Sequence, residues 1–309
     1  MKLSDVVDVG THSWEEVLKP GERLGGPSLW GNSKYQVFKF CPYLYYWLFI
    51  KRMARMTYDP NLEIGGLYHE ARARYGQAFL DAFDVETGDL SVPQKVIDER
   101  CTEAGFDIIN RAAKIVPGIA GTVRRLFESW LILSGPGMPR DRRRDLYGVE
   151  VVLEVNDPIP YSARLDEWYW DRDRRGARIS EIKTAGEYDG RLVNSYRMDA
   201  QFLGHQYLWR RTMTRKVGPL VGYDVDLITK TTEVRSTLEH VPIDWALTKS
   251  FEEEISYLYS QIIRCQTTRI WPKRMSYYCT RPWSCQLYDH CASRGRITLG
   301  WRKKKKGEY

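Results

Sequence analysis

Residues 162–184 read SARLDEWYWDRDRRGARISEIKT, two stretches of strand-like alternation around the charged turn DRDRRG. Both stretches carry charge where a sheet core takes apolar side chains. Asp166 follows Leu165, and Glu181 and Lys183 flank Ile182. Side chains alternate across a strand, so Glu181 and Lys183 share a face. If the strand bearing Asp166 pairs alongside, two carboxylates and one ammonium converge. Close carboxylates repel, and one takes up a proton unless a cation sits between them. The cation suited to an oxygen-rich, two-carboxylate site is Mg²⁺ or Mn²⁺, which keeps several waters and engages phosphate oxygens. Such an ion polarises a phosphoryl group and acidifies bound water. A lysine two residues past the acid orients or helps deprotonate that water, or stabilises transition-state charge. The plainer reading of the same residues is an exposed, salt-bridged pair of strands.

A second group is cysteine-based. Cys279, Cys285 and Cys291 form C-x5-C-x5-C in YYCTRPWSCQLYDHC, a spacing that serves neither helix nor strand. The N-terminal MKLSDVVDVGTHSW lacks the apolar stretch of a signal peptide, so a cytoplasmic, reducing setting is expected. There, three closely spaced thiols point to metal or cluster ligation. A fourth ligand is needed, and Cys41 lies far upstream, followed by a proline at a helix start. Cys101 and Cys265 fall within helical patterns and read as small buried apolar residues.

These groups need a scaffold. The chain has 309 residues, 43% hydrophobic and 13% aromatic, enough for a sizeable core. The net charge of +7 favours an anionic partner, nucleic acid first. The longest apolar run, FCPYLYYWLFI at 40–50, is too short to span a bilayer, so no membrane role is expected. Periodicity predicts helices over 41–56, 62–83, 93–115 and 119–133. Strands follow over 147–157, through Asp166, and over 177–184, then a helix over 197–215. Strands near 219–229 and 233–240 and a helix over 244–265 complete the order. This order predicts an α/β (α+β) domain with helices packed on a mixed sheet. The expected organisation is an irregular arm at 1–34 and one domain at 35–292. That domain divides into a helical part (35–145), a sheet core (146–243) and a helix with the cysteine segment (244–292). A basic tail at 293–309, with RKKKK at 302–306, follows.

Asp166 followed by Glu181-Ile182-Lys183 resembles the PD-(D/E)XK nuclease signature. GGLYHEARARY at 65–75 resembles the histidine motif of its RecB-like branch, with His69 at the matching position. DAQFLGHQYLWRR at 199–211 resembles that branch's glutamine helix, with Gln201. The resemblance spans roughly residues 35–291 and implies a restriction-endonuclease-like core. It implies Mg²⁺ or Mn²⁺ bound by His69, Asp166, Glu181 and the Ile182 carbonyl, with Lys183 and Gln201 at the reaction. The usual tyrosine partner of the glutamine is replaced by His205, four residues on, with Tyr207 off that helix face. One cysteine before and three after such a core resembles the iron–sulfur members of the branch, including CRISPR-adaptation nucleases and phage-encoded proteins. That maps Cys41, Cys279, Cys285 and Cys291 onto a [4Fe-4S] cluster. The first gap here is wider than usual, which leaves zinc as the alternative.

The activity implied is exonucleolytic cleavage of single-stranded DNA or DNA ends. The chain has no G-x4-G-K-[ST] phosphate loop, so unwinding implies a helicase or recombination partner. Two other classes fit the same residues: an inactive DNA-binding or assembly module with a structural cluster, and a zinc-stabilised nucleic-acid-binding protein. Glu150 and Glu154, on the strand before Asp166, could assist a metal, but they read first as a solvated strand face.

Overall fold

The computed structural model describes residues 30–55, 59–84, 89–90, 93–134, 144–186, 195–196, 198–230, 234, 236–274, 279, 285, 287–293 and 301–303. Five strands form the central sheet: β4 (Arg144–Val155), β5 (Tyr161–Asp171), β6 (Gly176–Ala185), β7 (Leu220–Thr229) and β8 (Ser236–Val241), side by side in that order. Neighbours are antiparallel except β6 and β7, which run parallel. A parallel pair needs a crossover, and α6 (Ala200–Thr212) supplies it. The mixed α/β fold expected from sequence is the fold observed.

Alternation along the strands buries both faces. Ile179, Tyr223 and Val225 face one helical layer, α1 (Asn32–Phe40), α6 and α7 (Trp245–Thr268), among Phe38, Phe202, Tyr207 and Phe251. Ile182 and Ile228 face the other layer, α3 (Pro60–Ala82), α4 (Gln94–Ala112) and α5 (Pro117–Ser134), among Leu67, Ile109, Phe127 and Trp130. Cys101 and Cys265 are buried on α4 and α7, as expected of small apolar side chains. Among the described residues no helix is long and apolar enough to cross a membrane.

Three expectations change. The helix expected over 41–56 is α2 (Pro42–Tyr45), which loosens into a π-helical turn at Tyr46–Ile50; Arg52 then adopts φ 55° and ends it. Residues 53–55 form β1, antiparallel to β9 (Trp301–Lys303), so Arg302 and Lys303 of the expected basic tail are strand residues. The expected arm at 1–34 ends early. Trp30 exchanges hydrogen bonds with Ser162, its N–H reaching Oγ at 2.8 Å and its C=O accepting from the backbone at 3.1 Å, and α1 begins at Asn32. Residues 1–29, 304–309 and most of the 134–145 loop lie outside the described residues. Two short strands, β2 (Phe83–Asp84) and β3 (Asp89–Leu90), pair beyond α3.

Gly204 faces Tyr161, where a Cβ would overlap the phenol hydroxyl. Gly204→Ala is predicted to cost ~1–3 kcal/mol in chemical denaturation through overpacking. Helix propensity alone would instead gain up to ~1 kcal/mol, so a stabilised variant contradicts the close contact.

Candidate active site

The site lies where the sheet forks. The β5–β6 ladder runs from Asp171↔Gly176 to Glu167↔Ser180 and stops there. Beyond it β5 stays with β4 as far as Tyr161, and β6 stays with β7 as far as Ala185↔Thr229. The diverging strands leave the Ile182 N–H without a backbone carbonyl from β5. The Asp166 carboxylate takes it, with Oδ2 at 2.8 Å. His69 of α3 approaches the same oxygen, its Nδ1 at 3.6 Å. Burial works against the Asp166 charge, but His69, Lys183 and the Ile182 N–H outweigh it and hold the carboxyl at about 2.

On β6, Glu181 and Lys183 share a face as the alternation requires. Lys183 Nζ donates to Glu181 Oε1 at 2.8 Å and to Gln201 Oε1 at 2.9 Å. Gln201 Nε2 closes the triangle by donating to Glu181 Oε1. Gln201 is placed by the first turn of α6, where the Asp199 side chain caps its N–H at 2.7 Å. Burial disfavours the Lys183 charge, yet Glu181 and Asp166 more than compensate and raise its pKa.

The other Glu181 oxygen is held from below. The Tyr223 hydroxyl on β7 donates to Oε2 at 3.3 Å and contacts His205 Nδ1 at 2.6 Å, and His205 Nδ1 is itself 3.7 Å from that oxygen. Burial lowers the His205 pKa and raises that of Tyr223, so both are neutral near pH 7. With the hydroxyl donating to Glu181, the ring proton sits on Nδ1. Gln201 and His205 thus act from one helix face, as their spacing predicts. Tyr207 points elsewhere, buried against Tyr161 and Phe251.

A cleft of ≈ 370 Å³ opens beside His69, lined by Gly65, Gly66, Glu70, Glu150, Arg164, Thr184 and Lys230 among others. Gly65 lets α3 approach β6, because a Cβ there would lie 3.2 Å from Thr184 Oγ1. Glu150 is not on a solvated face as expected. It is 6% exposed, has φ 53° and pairs with Arg164 at 2.5 Å, while Glu154 is exposed.

Beneath the fork lies a charged group that the sequence reading missed. Arg72 of α3 reaches Asp226 at 2.9 Å and Glu167 at 3.4 Å, with its guanidinium 3.8 Å from the Trp130 ring centroid. Burial raises the Glu167 carboxyl to about 7 in spite of the guanidinium. Two signals were present: Asp224 and Asp226 inside the apolar run LVGYDVDLIT, and an arginine three residues after His69, on the same face of the helix. Buried acids need a cation, and Arg72 supplies it for Asp226.

The cysteines gather at the other end of the chain's path. Cys41 shares a small apolar cluster with Leu44 and Leu287, against which Cys285 and Cys291 pack. The Cys285 N–H donates to the Cys279 carbonyl at 2.9 Å. Burial raises the Cys285 thiol, and Cys279, Cys41 and Cys291 add to the effect against a lowering backbone hydrogen bond at Leu287. Tyr43 and Trp47 hold His290 of α8 (Tyr288–Ala292) at the same place, the first by a 3.3 Å hydrogen bond and the second at 4.3 Å between ring centroids. Among the described residues no three His, Cys, Asp or Glu side chains stand close enough together to hold a metal ion as they are.

No protein-family model matches the chain, and no curated protein matches it. Solved structures do. One is "Putative exonuclease" from Eubacterium rectale, with a TM-score of 0.47 and 15% identity over 89% of each chain. Another is SSO0001, with a TM-score of 0.30 and 16% identity over 62% of this chain and 78% of its own.

Tyr223→Phe removes a buried hydroxyl that serves two partners. It is predicted to cost ~1–3 kcal/mol in chemical denaturation. A neutral result would mean that the hydroxyl holds neither His205 nor Glu181.

Proposed function

We propose that the chain is a metal-dependent nuclease of the PD-(D/E)XK type, in its RecB-like branch, acting as an exonuclease on single-stranded DNA or DNA ends. The observation that carries the reading is the closed triangle of Glu181, Lys183 and Gln201 beside an Asp166 that caps Ile182. A salt-bridged surface hairpin has no reason to bury both carboxylates, which are 6% and 2% exposed, around one ammonium.

By type the donors suit a hard divalent cation, and their side chains would have to draw together to hold it: two carboxylates, the His69 imidazole beside one of them, and the Ile182 carbonyl. Mg²⁺ or Mn²⁺ held there would polarise the phosphodiester and acidify a bound water. The chain's own groups prepare that chemistry. Asp166, held far below neutral pH in its titration, is ionised and ready to ligate. Tyr223 fixes one oxygen of Glu181, and Gln201 fixes the other. In the metal-free site Glu181 and Asp166 raise the Lys183 pKa, and as an ammonium it would orient the water or hold phosphoryl charge.

Cys41, Cys279, Cys285 and Cys291 would hold a [4Fe-4S] cluster, with Zn²⁺ as the alternative. The packing of Cys285 and Cys291 against the cluster of Cys41, Leu44 and Leu287, with the Cys285 N–H on the Cys279 carbonyl, supports the reading. Elemental analysis of protein purified without oxygen separates the two: iron with acid-labile sulfide, or zinc alone.

The test is cleavage of end-labelled single-stranded DNA with Mn²⁺. Asp166→Ala and Lys183→Ala are predicted to lose ~100-fold or more of the rate while still binding DNA. Unchanged cleavage in both variants would place the activity elsewhere in the chain and overturn this site, whereas DNA binding by wild type with no cleavage under any divalent metal would move the reading to an inactive DNA-binding module.

The raised Lys183 pKa also sets a pH signature. The ammonium is the form present at neutral pH and is lost only above the ordinary lysine range of ~10.4. In the metal-free protein an NMR titration of the Lys183 ammonium is therefore predicted to show no loss of its proton between pH 7 and about pH 10. Loss of the proton within that window would contradict the pairing of Lys183 with Glu181 and Asp166.

A further inference from the structure

The fork that opens the site also removes the hydrogen bonds that would keep β5 and β6 at a fixed spacing. Something else must set that spacing, because His69, Asp166 and Glu181 stand on three separate elements: α3, β5 and β6. One side chain touches strands on both sides of the opening. Arg72 Nη2 binds Glu167 of β5, the last residue before the fork, at 3.4 Å. Its Nη1 binds Asp226 of β7 at 2.9 Å, and Asp226 is the register partner of Ile182 on β6. Arg72 lies three residues after His69 on α3, so the two side chains point the same way toward the sheet. Trp130 of α5 covers the guanidinium at 3.8 Å, and Tyr68 lies 3.4 Å from Nη1.

We infer that Arg72 is a positioning residue that sets the distance between the His69, Asp166 and Glu181 donors by clamping Glu167 to Asp226 across the open fork. The inference rests on the metal-site reading above. Its physical basis is the shape of the guanidinium. A planar fork with several donors binds two carboxylates at fixed separation, which a lysine ammonium cannot do. The clamp is almost dry: the Arg72, Glu167 and Asp226 side chains are 1%, 2% and 8% exposed. Water therefore cannot take over either bond when the guanidinium is lost. The clamp touches no proposed ligand, yet it fixes the neighbour of Asp166 in sequence and the neighbour of Ile182 across the sheet. Partners bonded directly to metal ligands typically carry ~10–100-fold of metal affinity, and the clamp, one residue further out, is expected to act at the lower end of that range.

The test is calorimetric titration of Mn²⁺ into the full chain, with a thermal unfolding scan of each variant. Arg72→Lys keeps the charge and loses the fork. Glu167→Gln removes the ionisable carboxyl and keeps an acceptor oxygen for the fork. The clamp predicts Mn²⁺ binding at least ~10-fold weaker in Arg72→Lys and within about twofold of wild type in Glu167→Gln. Wild-type affinity in a folded Arg72→Lys overturns the inference. Equal weakening in both variants also overturns it, because the charge of the group and not its geometry would then matter. If Arg72→Lys does not fold, the same titration is made on the apolar replacement Arg72→Met with Glu167→Leu and Asp226→Leu, since such swaps tend to preserve stability. There, at least tenfold weaker binding supports the clamp, and wild-type affinity overturns it. Wild type that binds Mn²⁺ without cleaving DNA overturns the nuclease reading and leaves the Arg72 comparison intact. Wild type that binds no Mn²⁺ overturns both.

Discussion

The hydrogen bond from the Ile182 N–H to the Asp166 carboxylate is the contact around which the site is built. It stands where an ordinary antiparallel ladder would have continued. Because β5 and β6 part after Glu167↔Ser180, a buried backbone donor is left over, and a buried donor without a partner costs a few kcal/mol. A carboxylate satisfies it, and with His69 and Lys183 nearby that carboxylate is held ionised although burial works against the charge. The same parting opens room between the strands, so one local departure from regular sheet both creates the charge and gives it access.

The charges near the fork are paired in layers. Lys183 meets Glu181 and Gln201 at the surface of the site. Tyr223 and His205, both neutral, hold Glu181 from the core side. Arg72 meets Glu167 and Asp226 on the opposite face of the sheet. The first two layers belong to α6, through Gln201 and His205, and the third to α3, through Arg72 with His69 beside it. The two helical layers that bury the sheet therefore also hold its charged centre from both sides. The cysteine segment plays a separate part. It returns the C-terminal region to α2, near where the described chain begins, through Cys41, Tyr43 and Trp47.

Much of this was readable in the sequence, for definite reasons. Strand alternation put Glu181 and Lys183 on one face, and helical spacing put Gln201 and His205 on one face, because both periods are fixed by backbone geometry. The element order was readable because each strand is bounded by turn residues such as DPIP and DRDRRG. The π-helical turn at 46–50 was not readable, since nothing in YWLFI distinguishes it from an α-helix. The β1–β9 pair was hidden for another reason: RKKKK has the composition of a solvated tail, and its first two residues pair with a partner far away in sequence. Glu150 was misread and Arg72 missed because the burial of a charge depends on partners outside its own element: Arg164 of β5 for Glu150, and Glu167 and Asp226 for Arg72. A local pattern cannot report such partners.

The most direct test of this account is anomalous diffraction at the manganese edge from crystals grown with Mn²⁺. The account predicts a peak at roughly 2.0–2.3 Å from carboxylate oxygens of both Asp166 and Glu181, with His69 beside it. A manganese site elsewhere, with the fork bearing none at saturating Mn²⁺, would contradict the claim that this opening in the sheet is a metal-dependent active site.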